Sequence, residues 1–308
     1  MEFKLDISVI VRIFKELIMF LKKTVKLFQS EKYLDWQSEI LKRENIVVIS
    51  SQKRKIIIKA TSDQCVSLDL FSFGLSSIEL HPYYLTAKQI IENDCLEFDK
   101  SYLKKWFDIV RPQTATEILG LNPGENNYLD NLSAECADFP WRNAPNHYIA
   151  KKRSSKYFAK AENQFGVLLE GKFRWEQIGP ISSQAAMLEF DRIKKIINSV
   201  QKYGYDSSID SDLMTAELLF DKHDDYRVNI SSGQHRFPVL VALGYNKYNI
   251  TIKPNRIHHR NDVMQWPAVL EGKMTKQEAL IVFDRVFNCM QPRYLNNVWF
   301  KQNLKFGC

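Results

Sequence analysis

VNISSGQHRFPVLVALGYNKYNITI, residues 228–252, is the stretch on which the reading of this chain turns. Its pattern predicts a strand over 226–230, a tight turn at the glycine, a helix over 234–244 and a second strand over 249–253. A strand that turns through glycine into a helix start leaves backbone N–H groups unpaired and aimed outward, with the positive end of the helix dipole behind them. Such a turn suits an anion. Here Ser231, Ser232, Gly233, Gln234, His235 and Arg236 form it, and His235 and Arg236 add side-chain donors able to grip a phosphate. Pro238 fits the same picture, because first-turn amides have no intrahelical partner to lose. The competing reading of these six residues is an ordinary strand-turn-helix whose His and Arg only cap a loop.

SSGQHR, followed by an apolar helix and LGY, resembles the nucleotide-binding box of the ParB/sulfiredoxin-like superfamily, whose members carry GERR, GCHR or DGxHR at this turn. Upstream, GPIS with Leu188, Glu189, Arg192, Ile193, Ile196, Ile197, Ser199, Val200, Gly204 and Tyr205 is similar to the helix and the "SI…GY" element that precede that box. The resemblance spans residues 175–255. It implies a C-terminal ParB/sulfiredoxin-like α/β domain whose Gly233, His235 and Arg236 hold the phosphates of ATP or another nucleotide, with Mg²⁺. The reactive positions depart from the pattern. Gln234 stands where sulfiredoxins carry their attacking cysteine and ParB proteins a glutamate, and Ser232 stands where the free serine kinases carry aspartate.

Any catalysis therefore has to come from elsewhere in the chain. Phosphoryl transfer needs a group to orient the acceptor hydroxyl and carboxylates to meet Mg²⁺. The candidate catalytic residues are Glu189, on the upstream helix, and Asp224 and Asp225, which lead into the strand before the turn. Glu189 also has Arg192 three residues on as an ion-pair partner, and the Asp pair reads equally as a hairpin turn.

Just after the second strand come Arg256, His258, His259 and Arg260, a cationic group suited to substrate phosphates. Adjacent histidines on an extended segment point to opposite faces, and the chain has no HxH or HExxH spacing, so a histidine metal site is not expected. Trp141 and Arg142 lie between Pro140 and Pro145 in a long irregular stretch, 122–147. They are read either as a substrate-stacking pair or as a buried plug under a loop. The run KKRSSKYFAK, 151–160, is a solvated basic face or a nucleic-acid contact.

Residues 7–28 are the most hydrophobic, but Arg12, Lys15, Glu16, Lys22, Lys23 and Lys26 interrupt them. A bilayer span needs about twenty nearly uncharged residues, so this reads as an amphipathic basic helix, lying on an anionic membrane surface or docked on protein. Glu2, Lys4 and Asp6 ahead of it do not make a secretory leader. Strands are expected within 46–73, helices over 88–91, 101–110 and 276–287. The five cysteines are widely spaced without a CxxC pair, which favours a reducing cytoplasm, with the inner membrane face as the alternative address.

With 308 residues, 45% of them hydrophobic, the chain has room for two cores. The expected class is α+β, an N-terminal mixed α/β domain joined to the C-terminal one. The expected divisions are 1–30 (amphipathic helix), 31–121 (mixed α/β), 122–174 (loop and linker) and 175–308 (nucleotide-binding domain). A net charge of +7 attracts anions without choosing among nucleotide, nucleic acid and lipid. The first functional expectation is a nucleotide-dependent phosphotransferase acting on a small hydroxylated or sugar-type (glycan-precursor) acceptor. A non-catalytic nucleotide- or nucleic-acid-binding regulator is the second, disfavoured because no helix-turn-helix follows the box. A nuclease is the third.

Overall fold

A computed structural model describes residues 56–166, 168–169, 175–205 and 213–303. The basic helix expected at 7–28, the first expected strand at 46–50 and Cys308 lie outside the described residues. The rest is α+β, built on one five-stranded sheet.

The strands are β1 (Ile56–Thr61), β2 (Cys65–Val66), β3 (Met214–Phe220), β4 (Tyr226–Ser232) and β5 (Lys247–His259), in the order β1-β5-β3-β4-β2. The β3–β4 and β1–β5 pairs are antiparallel, and β3–β5 and β2–β4 parallel. Both edge strands thus come from the N-terminal half and complete a sheet whose centre is C-terminal. Strand periodicity explains the layering. Along β3, MTAELLF, Met214, Ala216, Leu218 and Phe220 point into one apolar cluster with Val228, Ile230, Ile250 and Ile252. Glu217 necessarily points to the other face, in the middle of the central strand, and is completely buried there.

The longer helices pack around the sheet. They are α1 (Pro82–Glu92), α2 (Tyr102–Ile109), α3 (His147–Phe165), α4 (Ser183–Tyr203), α5 (Arg236–Ala242) and α6 (Lys276–Phe287); α5 sends Phe237 and Leu240 into the first cluster, and α6 sends Val282 and Phe283 into the second core. Their starts follow capping chemistry. Asn146 and Ser182 accept from the amides of Ile149 and Ala185, and Thr275 and Glu278 form a reciprocal capping box. The α3 helix ends at Gly166, whose φ of 64° suits glycine at a helix C-terminus.

Of the expected linker at 122–174, residues 122–166 are a folded part of the molecule. Leu129, Leu132, Cys136, Phe139 and Trp141 join the same core as Trp106, Val282, Phe283 and Trp299, and α3 supplies nineteen helical residues. Apolar residues in the irregular segment find partners in α6 and the C-terminal residues, which sequence spacing does not reveal. CVSLDLFSF is likewise not a full strand. After Val66, Leu68, Asp69 and Ser72 take left-handed φ angles of 62°, 44° and 57°, and the chain buckles into short turns instead of continuing along β4. No described helix is long and apolar enough to cross a membrane.

Candidate functional site

The Ser231–Arg236 segment leaves the end of β4 and turns into α5 as expected. Gly233 has φ +92°, and a Cβ there would come within 2.7 Å of Met214 Cγ, so the turn demands glycine on both counts. Gln234, half-buried at the cavity wall, has both ends of its amide engaged. Its Oε1 accepts from the Leu68 amide at 2.6 Å and its Nε2 donates to the Ile230 carbonyl, which ties the turn to the buckled 68–72 segment.

All six turn residues line a cavity of about 600 Å³ between the sheet end, α3 and α4. That volume is in the range of small-molecule sites. Nine Lys or Arg side chains line it against three carboxylates, Asp69, Asp138 and Glu176. Lys152, Lys156 and Lys160 supply a third of the positive charge. Their i, i+4, i+8 spacing puts them on one face of α3, and that face looks into the cavity.

At one end, His235 meets Glu189. His235 Nε2 lies 2.5 Å from Glu189 Oε2, Tyr157 donates to Glu189 Oε1 at 2.8 Å, and Arg192 also pairs with Oε1. Tyr83 stacks on the His235 ring with centroids 4.4 Å apart. Burial pushes the Glu189 carboxyl up, but His235, Arg192 and Tyr157 outweigh it and hold the group below the usual carboxylate range. Burial drives the His235 pKa down in spite of Glu189. The two shifts favour a carboxylate beside an imidazole biased toward its neutral form. Arg192 is 8% exposed at its side chain, and its Nε and Nη2 have no hydrogen-bond partner. Beside them Glu176 lines the cavity, its pKa raised to about 7 by burial and by the charge of Glu189.

At the other end, the buried Glu217 gathers residues far apart in sequence. It accepts from Arg142 Nε at 2.9 Å, Arg256 Nη1 at 2.6 Å and Trp141 Nε1 at 3.2 Å, and His258 Nε2 is 3.8 Å away. Burial pushes the Glu217 carboxyl up, but Arg142 and His258 overcome this and hold it well below its ordinary value. Arg142 also faces Asp138 at 3.5 Å and Asp69 at 3.8 Å.

The expected site residues are therefore partly assembled. Ser231 to Arg236, Arg142 and Arg256 line the cavity; Glu189 meets His235 at Nε2, and His258 lies beside Glu217. Trp141 is the buried plug, 4% exposed, packed on Phe139, Trp266 and Phe283, so it offers no open stacking face. His258 and His259 do point to opposite faces: His259 stacks on Phe220 at 4.8 Å, on the apolar side. Arg260 turns away to a two-pronged ion pair with Asp284, at 2.6 and 2.8 Å. Asp224 and Asp225 belong to the β3–β4 hairpin turn, Asp224 with φ 63°. They stand at the opposite end of β4 from Ser231, about 20 Å of strand away, and are not brought to the cavity.

Sequence reading missed Glu217, Glu176, Asp69 and Gln177. A lone carboxylate in an otherwise apolar strand, MTAELLF, was a usable signal for the first. The i+4 repeat of lysines in KKRSSKYFAK was a signal for the α3 face. No group of three or more His, Cys, Asp or Glu side chains able to hold a metal occurs among the described residues. No protein-family model matches the chain, and neither a curated protein nor a solved structure matches it.

Proposed function

We propose that this protein is a nucleotide-dependent phosphotransferase with a ParB/sulfiredoxin-like C-terminal region, whose phosphates lie at the His235–Arg192 end of the cavity. The observation that carries the reading is Arg192. A nine-tenths-buried guanidinium with two unpartnered nitrogens, beside a cavity lined mainly by cations, is suited to a bound anion. The residues of the 231–236 turn, Arg236 among them, and the α3 lysines line the same cavity. Converging cations spread the charge of a transferring phosphoryl group, which is most of what its catalysis requires.

In the transfer, an acceptor hydroxyl attacks the terminal phosphorus, the bond to the leaving nucleoside diphosphate breaks, and the hydroxyl proton passes to a base. Glu189 is held by three donors, so Glu176, titrating about 7 and lining the cavity, is the better-placed carboxylate. Mg²⁺ would be carried by the nucleotide's own phosphates and water, leaving Glu176 as the base.

The test is ATP binding by calorimetry and thermal shift with Mg²⁺. The wild type should bind, and Arg192→Ala should weaken binding at least tenfold. If neither ATP, ADP nor CTP raises the melting temperature, the reading fails. A non-catalytic nucleotide-binding regulator would bind ATP with the same Arg192 dependence but transfer no phosphate to any hydroxyl, which phosphate release and mass spectrometry of added acceptors would show.

A further inference from the structure

We propose that the opposite end of the same cavity, built on Asp69, Asp138, Arg142 and Gln177, is a hydroxyl-recognition subsite that takes the adjacent hydroxyl groups of a sugar ring. The inference rests on the phosphotransferase reading for what lies next to it, but none of its four residues belongs to the 231–236 turn.

The chemistry of this end differs from that of the His235 end. Asp69 sits at the junction: its Oδ2 accepts from Gln177 Nε2 at 2.7 Å and its Oδ1 lies 3.8 Å from Arg142 Nη1. Asp138 accepts from Asn143 Nδ2 at 2.7 Å and faces Arg142 and Arg153 at 3.5 and 3.8 Å. Carboxylates and guanidinium groups thus alternate, in contrast to the cationic wall at the other end. A phosphate here would meet two carboxylates, and a cation would meet Arg142 and Arg153. Neither charged ligand fits.

Two groups point to a neutral polar ligand. Gln177 is 4% exposed and lines the cavity, its Nε2 is engaged by Asp69, and its Oε1 has no hydrogen-bond partner. Arg142, held from behind by Glu217, has a buried Nη2 with no partner. An unpartnered acceptor and an unpartnered donor, both linked through Asp69, complement a hydroxyl, which donates one hydrogen bond and accepts others. Two adjacent hydroxyls on one ring satisfy both together. Removing either partner of a buried polar pair is costly, so such a subsite discriminates sharply for hydroxylated ligands.

The sugar has two possible sources, the ribose of the bound nucleotide or a glycan-type acceptor, and one experiment separates them. Affinities of the full chain for ATP and for inorganic tripolyphosphate are measured by calorimetry. Binding of the methyl glycosides of glucose, galactose, mannose and N-acetylglucosamine is measured by saturation-transfer NMR. Each is repeated in Gln177→Leu and in Asn143→Ala, the latter an exposed position that protects against misfolding of the former. If the ribose occupies the subsite, ATP binds more tightly than tripolyphosphate, and Gln177→Leu narrows that gap at least tenfold. If the acceptor does, at least one glycoside binds and is weakened at least tenfold by Gln177→Leu and several-fold by Asn143→Ala. The proposal is overturned if wild type binds ATP no better than tripolyphosphate and binds no glycoside, or if both variants leave both readouts unchanged. Failure of ATP and tripolyphosphate alike would sink the phosphotransferase reading and leave the glycoside arm to decide this one.

Discussion

Replacing Glu217 by Gln tests the central buried clamp. The carboxylate is fully buried and accepts from Arg142, Arg256 and Trp141. Glutamine keeps the shape and one acceptor oxygen, but it loses the charge and turns an NH₂ donor toward an indole N–H or a guanidinium. Breaking a buried ion pair by removing one partner costs about 3–5 kcal/mol. The low end applies, because Arg142 keeps Asp138 and Asp69, and Arg256, 35% exposed at its side chain, turns to water. About 3 kcal/mol corresponds to a fall in Tm of about 6–12 °C for a domain of this size. The sign of the pH dependence follows from a folded pKa well below the ordinary value of 4.5. The charge's contribution is fully present above the unfolded pKa and is lost as pH falls through the folded one. Thermal and urea melts at pH 7 and at several acid pH values are the assay: the gap between wild type and variant should be full at pH 7 and shrink below about pH 4.5. A fall in Tm under about 2 °C at pH 7, or a gap indifferent to acid, refutes the buried-clamp argument.

Two further outcomes bear on the cavity. Lys156→Glu and Lys160→Glu should each weaken ATP binding about tenfold and flatten its salt dependence, which titrations at low and physiological ionic strength will measure; unchanged affinity would remove the α3 face from the site. ATP affinity in the wild type should rise as pH falls through about 7, because protonating Glu176 removes a negative charge beside the phosphates, and Glu176→Gln should bind with a flat profile.

Several elements were legible in the sequence for physical reasons. The strand before the turn, the helix after it and the 276–287 helix follow from periodicity, glycine and capping residues, which are local properties. The 226–230 strand extends to Ser232, and the second strand runs further than expected in both directions, over Lys247–His259. Their pairing with β1 and β3 extends ladders that local pattern alone cannot measure. The hairpin reading of Asp224 and Asp225 was available from their turn chemistry, and it is the one the fold adopts.

By itself the sequence determined that a glycine turn carrying His235 and Arg236 joins a strand to a helix, that the two histidines of RIHH face apart, and that α6 is amphipathic. Each follows from backbone geometry over a few residues. Only the tertiary structure decided what the charges do. Glu189 and His235 are 46 positions apart, Glu217 and Arg142 are 75 apart, and Gln177 and Asp69 are 108 apart. Periodicity tells which face of an element a side chain occupies. It does not tell which distant face will be laid against it, and that juxtaposition turned a basic helical stretch and scattered carboxylates into a cavity with one cationic end and one mixed one.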